Sequence, residues 1–398
     1  MAHTSGMMQQ IATTQTPAAT AARLPGRTVL VHDYLNQHGG AERLLEVMHD
    51  LAPEAPVFTS MYDPDSLPPT YRAWDIRTTW MNRLPGVTSS HQRYLPVYPL
   101  AFEQLRLPDC DLVLSSSSAF AKAVRPPIGA AHVAYIHSPM RFAWNLDGYV
   151  ERERIKPAMR GALRPLMAAM RSWDRRTVDR VDRFAANSTA VRDRIRSFWD
   201  RDSTVIFPPV DVERFVPAPR DEVGDYFLMV SRLVPYKRFD LAIEAFNALG
   251  LPLWIVGDGR DREALSRQAG ETVQLLGRVD DADLAGLYAR ARAVVFMSED
   301  DFGIAQVEAQ AAGRPVIALG AGGALDTVVD GGTGVHVTEQ TADSLIEAIR
   351  RFERLTFSVD RNVAHAQQFS KERFSRELVA LVDETQEGLR AGRSQLWN

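Results

Sequence analysis

Residues 293–320 read AVVFMSEDDFGIAQVEAQAAGRPVIALG and decide the fold predicted for the whole chain. The apolar run Ala293–Met297 is typical of a buried parallel strand, and Val316–Leu319 is a second such run. Between them lie an acidic loop, Ser298–Phe302, and a segment of helical composition, Gly303–Ala312, which a Gly-Arg-Pro sequence ends. The stretch therefore predicts a strand–loop–helix–strand unit of a parallel α/β fold.

The same unit places two carboxylates beside the start of a helix. Asp300 follows the first strand, and Glu308 lies eight residues later, within the helix. The backbone N–H groups of Phe302, Gly303 and Ile304 fall at the helix N-terminus, where the helix dipole favours an anion. Carboxylates for hydroxyls and amides for a phosphate suit a nucleotide-linked sugar; a simple N-cap with a solvated helix face is the alternative.

Length and composition allow two α/β domains. The chain has 398 residues, of which 45% are hydrophobic and 24% charged, as in a soluble globular protein. It contains no apolar run long enough for a transmembrane helix. The single cysteine, Cys110, excludes an internal disulfide framework and indicates a reducing compartment. We expect a cytoplasmic protein, with contact at the inner face of the membrane as an open alternative.

Charge is distributed unevenly along the chain. Residues 27–207 carry 24 basic and 20 acidic side chains, whereas residues 208–398 carry 21 and 30. The basic excess predicts that the first half faces something anionic. Residues 1–26 lack the basic start and apolar core of a signal peptide, and we expect them to form a disordered leader.

The first half contains a glycine loop between a predicted strand, Thr28–His32, and a predicted helix, Leu44–Leu51. Gly39 and Gly40 stand where the helix begins, which lets a ligand approach the backbone and leaves amides free. A structural turn explains them equally well. The three-glycine fingerprint of dinucleotide-binding folds is missing.

Polar residues follow two later predicted strands. Asp111–Ser115 is predicted as a strand, and the serines at 115–118 as a solvated loop and helix cap. Ala131–Ile136 is predicted as another strand and is followed by His137. A histidine at the carboxyl end of a parallel strand lies where open α/β sheets place ligands, although most isolated histidines are structural.

The segment Arg152–Arg183 is strongly basic, with ten basic and four acidic residues. Its apolar residues recur at roughly helical spacing. Two explanations remain open: an amphipathic helix packed on the sheet, or a helix that rests on an anionic membrane.

Proline-rich residues 208–224 are predicted to link a first domain, residues 27–207, to a second domain, residues 225–370. In the second domain a predicted strand, Tyr226–Val230, opens into a loop that carries Arg232 and Lys237. Two cations in one strand–helix loop can both point at a diphosphate. The chain has 42 arginines and four lysines, so a lysine here is consistent with a need for a compact charge on phosphate. A solvated basic loop is the alternative.

The stretch from Asp300 to Glu308 resembles the Glu-x7-Glu region of family 4 glycosyltransferases, which are retaining enzymes with the GT-B fold. Asp300 stands where glutamate is usual. The resemblance extends from Arg27 to about Leu389. It implies two Rossmann-like domains that face a central cleft, with a C-terminal helix within residues 371–398 that crosses back to the first domain.

The resemblance also implies roles for the candidate residues. Asp300 would hold donor-sugar hydroxyls and Glu308 the ribose, while Arg232 and Lys237 would neutralise the leaving diphosphate. Further donor contacts are implied for the glycine loop, for the helix N-terminus and for a loop that brackets the nucleobase through its backbone; these residues are Gly39, Gly40, Phe302, Gly303, Ile304, Gly277, Arg278 and Val279. The sugar and acceptor side would be lined by His137, with Arg141 and Trp144 as weaker candidates.

The implied function is transfer of a hexose from a nucleotide sugar to a hydroxyl of a glycan or lipid-linked acceptor. The sequences His-Asp-Tyr-Leu and Gly-Gly-Ala-Glu-Arg look most like members that use GDP-mannose. UDP-glucose, UDP-galactose and UDP-N-acetylglucosamine remain alternative donors. A GT-B-fold sugar-nucleotide epimerase and a non-catalytic sugar-nucleotide-binding protein are the rival classes.

No zinc spacing, Walker loop or nucleophile elbow occurs in the sequence. Four Asp-x-Asp pairs occur, but none lies convincingly in a nucleotide loop. We therefore expect no catalytic metal, no other cofactor and no nucleic-acid partner.

Overall fold

The structure is a computed structural model that describes residues 23–145 and 157–392. Its first sheet consists of β1 (Thr28–His32), β2 (Val57–Thr59), β3 (Ile76–Thr78), β4 (Leu112–Ser117), β5 (Ala131–Ile136), β6 (Arg183–Ala186) and β7 (Thr204–Val205). All of these strands are parallel, and their spatial order is β3-β2-β1-β4-β5-β6-β7.

The second sheet is built in the same way. It consists of β8 (Phe227–Val230), β9 (Leu253–Val256), β10 (Val273–Gly277), β11 (Ala293–Phe296), β12 (Val316–Leu319) and β13 (Gly334–Val337). The strands are again parallel, in the order β10-β9-β8-β11-β12-β13. In both sheets the chain first adds strands on one side of the initial strand and then on the other, which is the doubly wound arrangement.

Helices connect the strands on both faces of each sheet. The first half contains α1 (Gly40–Leu51), α2 (Tyr98–Glu103), α3 (Arg141–Trp144), α4 (Pro157–Arg176) and α5 (Thr189–Trp199). The second half contains α6 (Phe239–Leu249), α7 (Arg262–Gln268), α8 (Asp281–Arg290), α9 (Ile304–Ala311), α10 (Ala324–Thr327), α11 (Ala342–Glu353), α12 (Val359–Ala366) and α13 (Lys371–Arg390).

Each sheet is buried on both faces, which explains why its strands read as continuous apolar runs. Successive residues of β1 point to opposite faces. Leu30 packs in one core with Leu45 of α1, whereas Val31 packs in the opposite core with Phe102 of α2. The second sheet is likewise enclosed by one core that contains α6 and α11 and another that contains α9.

The last helix returns to the first domain, as predicted. The apolar side of α13 carries Phe374, Leu378, Leu381 and Val382, and all four are buried in the same core as α1 and β1. Apolar residues four and seven positions apart lie on one side of a helix, so this spacing gives α13 the stripe that docks on the sheet.

The basic segment contains α4, although residues 152–156 lie outside the described residues. Met167, Met170 and Trp173 of α4 are buried in the core of the first domain. The apolar side of this helix therefore packs on protein, as the amphipathic-helix alternative predicts.

The prediction of a solvated loop at residues 115–118 is wrong. Ser115, Ser116 and Ser117 belong to β4 and are almost completely buried. The hydroxyls of Ser115 and Ser116 are tolerated there because histidines in and just after β5 satisfy them: His132 lies 2.9 Å from the Ser115 hydroxyl, and His137 lies 2.8 Å from that of Ser116.

The ordered fold begins before Arg27. Residues 1–22 of the predicted leader lie outside the described residues. Leu24, within the same predicted leader, is buried in the core beside α1, and its N–H donates to the Leu51 carbonyl at 3.0 Å.

Candidate active site

Both sheets present their switch points to the space between the domains. The strand order reverses at β1 and β4 in the first sheet, and at β8 and β11 in the second. Ligands of open α/β sheets bind beyond the carboxyl ends of the strands at this position. The loops that follow these strands carry most of the predicted site residues.

Lys237 and Asp300 form an ion pair on the second-domain side of the cleft. The Lys237 Nζ lies 2.7 Å and 2.9 Å from the two carboxylate oxygens of Asp300. The Ser298 hydroxyl donates to the same carboxylate at 3.0 Å. The predicted phosphate cation and the predicted sugar carboxylate are thus brought together, although they are 63 positions apart.

Arg232, the second predicted cation, has an exposed side chain. It lies near Tyr34 of the first domain, where burial raises the pKa of the phenol and the positive charge of Arg232 opposes that effect. The charge of Arg232, in the second domain, therefore acts on a side chain of the first domain.

Glu308 is buried in α9 and is surrounded by groups that the sequence did not identify. Its Oε2 accepts a hydrogen bond from the Tyr288 hydroxyl at 3.3 Å. Its Oε1 lies 3.7 Å from Arg43 and 3.9 Å from Arg214. Burial raises the pKa of the Glu308 carboxyl, and the two guanidinium groups act in the opposite direction. Because Arg43 belongs to α1, this cluster spans the two domains.

The glycine loop touches the N-terminus of α9. A Cβ added to Gly40 would lie 2.6 Å from Cδ1 of Ile304, so any larger residue here would displace the end of the Ile304 side chain. Gly303 caps α9 in the left-handed conformation, with φ +99°. The Gly39 amide, however, is not free, because it donates to the Glu42 carboxylate at 2.7 Å.

The residues predicted to line the acceptor side lie at the carboxyl end of β5. His137 Nε2 is 2.8 Å from the Ser116 hydroxyl, and its backbone carbonyl accepts a hydrogen bond from Asn187 at 2.9 Å. Burial lowers the pKa of His137 to about 3, so the ring is neutral near pH 7.

Arg141 and Trp144 line a cavity of about 210 Å³ between the domains. Its wall is completed by Pro139, Asn145, Arg194, Phe198 and Glu299. Trp144 is fixed within this wall, because its indole N–H donates to Asp174 at 2.7 Å and its ring stacks on Phe198 at 4.5 Å.

Ion pairs join the acidic loop of the second domain to the predicted acceptor side of the first. Asp301 accepts hydrogen bonds from both Arg141 and Arg194. Arg194 also lies 2.9 Å from Glu299. Since Asp300 lies between these two acids, the first domain holds the loop that positions it.

The predicted nucleobase loop follows β10. Gly277 has a left-handed backbone, φ +78°, and the exposed Arg278 side chain lies 3.9 Å from Asp258. Val279 is partly buried and packs against the core that contains α9. A separate cavity of about 710 Å³ lies behind the Lys237 loop, beside α6 and α7, and no predicted donor residue lines it.

Two further observations concern the described residues only. No group of three or more histidine, cysteine, aspartate or glutamate side chains is arranged to hold a metal ion. In the same part of the chain, no helix combines the length and the apolar composition needed to span a bilayer.

Two family profiles match consecutive parts of the chain, which together span residues 38–371. "Glycosyltransferase Family 4" matches residues 38–214, and "Glycosyl transferases group 1" matches residues 213–371. Together they include every strand of the two sheets except β1, and every predicted donor-side residue.

Similar curated proteins are glycosyltransferases of actinobacteria. A D-inositol 3-phosphate glycosyltransferase of Mycobacteroides abscessus is 30% identical over 50% of this chain and 49% of its own. A GDP-mannose-dependent alpha-(1-6)-phosphatidylinositol monomannoside mannosyltransferase of Mycolicibacterium smegmatis is 33% identical over 36% of this chain and 44% of its own. The chain spans about half the length of the curated relatives that it matches.

Solved structures share the architecture at low sequence identity. Anabaena HepE in complex with UDP has a TM-score of 0.66 and 18% identity, covering 90% of this chain and 100% of its own. The lipopolysaccharide outer core galactosyltransferase WaaB has a TM-score of 0.64 and 18% identity, covering 90% and 99%. These likenesses confirm the predicted GT-B fold. With both of its domains matched, the chain belongs to glycosyltransferase family 4.

Proposed function

We propose that the chain is a retaining glycosyltransferase that moves a hexose from a nucleotide sugar to a hydroxyl of a glycan or lipid-linked acceptor. One observation carries this proposal. The Lys237–Asp300 ion pair and Glu308 lie at the switch point of the second sheet, in contact with the first domain through Arg43. Positive charge that suits a phosphate and carboxylates that suit sugar hydroxyls are thereby gathered in one cleft.

We propose GDP-mannose as the donor. The sequence likeness of the His-Asp-Tyr-Leu and Gly-Gly-Ala-Glu-Arg segments supports it, as does the similarity to the mannosyltransferase of M. smegmatis, whose name states its dependence on GDP-mannose. UDP-linked hexoses are the competing donors, and the experiment below includes them.

The chemistry follows from the leaving group. As the bond between the sugar C1 and the phosphate oxygen breaks, negative charge develops on the nucleoside diphosphate. Arg232, Lys237 and the N–H groups at the start of α9 would receive that charge, and preorganised charge of this kind is usually the largest catalytic contribution. These groups supply the positive charge without a metal ion.

The remaining residues would orient the reactants. Asp300 would hold hydroxyls of the donor sugar, and Glu308 would hold the ribose. The acceptor hydroxyl would attack C1 from the face that the diphosphate leaves, and the departing phosphate oxygen would take its proton. The new bond then has the configuration of the old one, and no covalent sugar–enzyme bond forms.

We further propose that the acceptor enters beside Arg141 and Trp144, and that contact with an anionic membrane is electrostatic. The helix α4 exposes Arg164 and Arg176, while its apolar side is buried. Charged side chains near an anionic surface are each worth about 1 kcal/mol. Replacing both arginines with glutamate should reduce sedimentation with anionic vesicles and leave neutral vesicles unaffected.

The test is donor turnover with product analysis. The purified protein is incubated with GDP-mannose or UDP-hexoses and a membrane lipid extract, and the glycosidic linkage of the product is determined by NMR. We expect release of nucleoside diphosphate and retention at C1, both lost in Asp300→Asn. An inverted product would overturn the retaining mechanism. Conversion of the donor alone to an epimer, or tight binding without turnover, would favour the rival classes.

A further inference from the structure

A line of hydrogen-bonded side chains runs from the glycine loop to His137. Glu42 Oε2 accepts the Gly39 N–H at 2.7 Å, and Glu42 Oε1 lies 3.5 Å from His32 Nε2. His32 Nδ1 lies 3.1 Å from the Ser116 hydroxyl, which lies 2.8 Å from His137 Nε2. Glu42, His32 and Ser116 are buried, at 1%, 2% and 0% exposure, so water does not substitute for any member.

The Glu42 carboxylate determines which atom donates and which accepts in each hydrogen bond of this line. Burial alone would raise the pKa of Glu42, but the hydrogen bond from His32, the positive charge that His32 carries when protonated, and the Gly39 N–H lower it below its usual value. The ionised carboxylate only accepts hydrogen bonds. A neutral His32 must then donate from Nε2 and accept at Nδ1. The Ser116 hydroxyl donates to His32, and its oxygen accepts from His137.

The far end of the line lies at the cleft. His137 follows β5, and its ring is partly exposed at the edge of the first sheet that faces the second domain. Among the described residues, its Nδ1 has no hydrogen-bond partner. When Nε2 carries the proton, Nδ1 holds a lone pair that is available to a ligand.

We propose that Glu42, His32 and Ser116 are positioning residues that fix His137 as the Nε2–H tautomer, so that Nδ1 accepts a hydrogen bond from a substrate hydroxyl. The identity of that hydroxyl, on the donor sugar or the acceptor, rests on the proposed function. The tautomer itself is a property of the free protein. If His32 carried a second proton, its Nδ1 would donate to the Ser116 oxygen. The Ser116 hydroxyl would then donate to His137 Nε2, and every hydrogen bond from His32 onward would run in the opposite direction.

The direct test is the two-bond ¹H–¹⁵N spectrum of ¹⁵N-histidine-labelled protein at neutral pH without ligand. We expect His137 to give the pattern of a neutral ring with its proton on Nε2. A neutral ring with its proton on Nδ1, or a doubly protonated ring, would overturn the proposal without any variant.

Glu42→Gln provides the sharper test, because it is nearly isosteric and reverses the line. The Gly39 N–H would take the glutamine oxygen, so the amide N–H₂ would face His32 and donate to Nε2. We expect His137 to change to the Nδ1–H tautomer. Glu46→Gln, on the same helix and 3.0 Å from His38, is the matched control and should leave His137 unchanged. An unchanged His137 in Glu42→Gln refutes the direction that we assign.

Ser116→Ala provides a second route if Glu42→Gln does not fold. This change cuts the line, so His137 should populate both tautomers, and a single fixed tautomer would count against the proposal. Activity gives a separate readout: Glu42→Gln should lower turnover at least tenfold with nucleotide affinity unchanged. Unchanged turnover despite a changed tautomer would overturn the substrate contact, whereas a wild type without turnover would refute the proposed function and leave the tautomer result standing.

Discussion

At the scale of single residues, the site consists of charges whose partners come from distant parts of the chain. Glu308 is the clearest case, since a buried carboxylate is costly unless it is paired and hydrogen-bonded. Tyr288, Arg43 and Arg214 provide those partners in the free protein. A ribose that binds Glu308 must therefore approach a carboxylate that already has these partners. Its hydroxyls would hydrogen-bond to a carboxylate whose position is already fixed.

Glu308→Ala should weaken binding of the preferred nucleoside diphosphate about 10-fold to 100-fold, because a hydrogen bond to a charged group is worth roughly 1.5–3 kcal/mol. The fold should persist, since Arg43 and Arg214 both retain Asp281 as a partner. Calorimetric titration of the nucleotide and its 2′,3′-dideoxy analogue measures the effect. The analogue should bind the wild type and the variant equally, and a large difference between them would argue against a ribose contact.

His132 gives the molecule a pH-dependent stability. It is buried in β5, with Nδ1 donating to the Arg180 carbonyl at 2.7 Å and Nε2 2.9 Å from the Ser115 hydroxyl. Burial lowers the pKa of His132 to about 4, from a usual value of 6.5. Between these values the unfolded chain binds a proton that the native state does not, so stability falls as the pH falls.

We expect the melting temperature to drop between pH 6.5 and pH 4, with His132 contributing about 3 kcal/mol to the loss of unfolding free energy. His132→Gln should lower stability at pH 7 but flatten this part of the profile. The exposed His38→Gln is the control and should keep the wild-type slope. A His132→Gln profile as steep as that of the wild type would show that this ring does not carry the effect.

Residue chemistry also marks where sequence reasoning fails. The candidate carboxylates and cations were identified because they follow apolar strands, where ligand sites of α/β folds lie. The serines of β4 were misassigned because their neighbours in sequence give no sign of the histidines that satisfy them. Glu42 and His32 could have been singled out only by knowing that the carboxyl ends of β1, β4 and β5 lie side by side.

At the scale of elements, apolar runs and turn residues predicted the strands well because both sheets are covered on both faces. The predicted strands Thr28–His32 and Ala131–Ile136 agree with the structure at both ends. The end of β4 was predicted too early because its last residues are polar although they are buried. A polar residue is also buried where another side chain, instead of water, hydrogen-bonds to it. Hydrophobicity alone therefore does not identify every buried residue.

The terminal helix α13 follows the second domain but packs on the first. A substitution on its buried side therefore measures how much this packing stabilises the protein. Leu378 is fully buried in the first core, far along the chain from the strands that it covers. Leu378→Ala should lower the free energy of unfolding by about 2–5 kcal/mol, through lost burial and the cavity left behind. Urea unfolding followed by tryptophan fluorescence measures it. The neighbouring, partly buried Val379→Ala should cost clearly less, and equal effects would contradict this packing.

At the scale of the whole molecule, the two domains are held together by charges on either side of the acidic loop. Asp301 binds two arginines of the first domain, and Thr189 donates to Asp326 at 2.8 Å a short distance away. No single residue pattern indicates such contacts, since each partner reads alone as a solvated charge. The uneven charge of the two halves predicted only that the first half faces something anionic, and did not indicate these pairs.

Asp301→Ala should let the two domains move apart, because it removes the carboxylate that both Arg141 and Arg194 of the first domain bind. We expect a larger radius of gyration by small-angle X-ray scattering without nucleotide, and a smaller difference once nucleotide is bound. Asp193→Ala, which removes an exposed pair with Arg192 inside the first domain, should leave the scattering unchanged. Equal scattering from Asp301→Ala and wild type would show that these ion pairs do not hold the cleft.

We expect this cleft to bind a nucleotide sugar through Lys237. Thermal unfolding of wild type, Lys237→Ala and Lys371→Ala with GDP, GDP-mannose, UDP and UDP-hexoses tests it most directly, because a ligand of the native state raises the melting temperature. Lys371, which pairs with Asp211 away from the cleft, is the control. We expect GDP compounds to stabilise the wild type and Lys371→Ala but not Lys237→Ala. Stabilisation by UDP compounds alone would change the donor and keep the site, whereas no shift with any nucleotide, or an equal shift in Lys237→Ala, would contradict the claim.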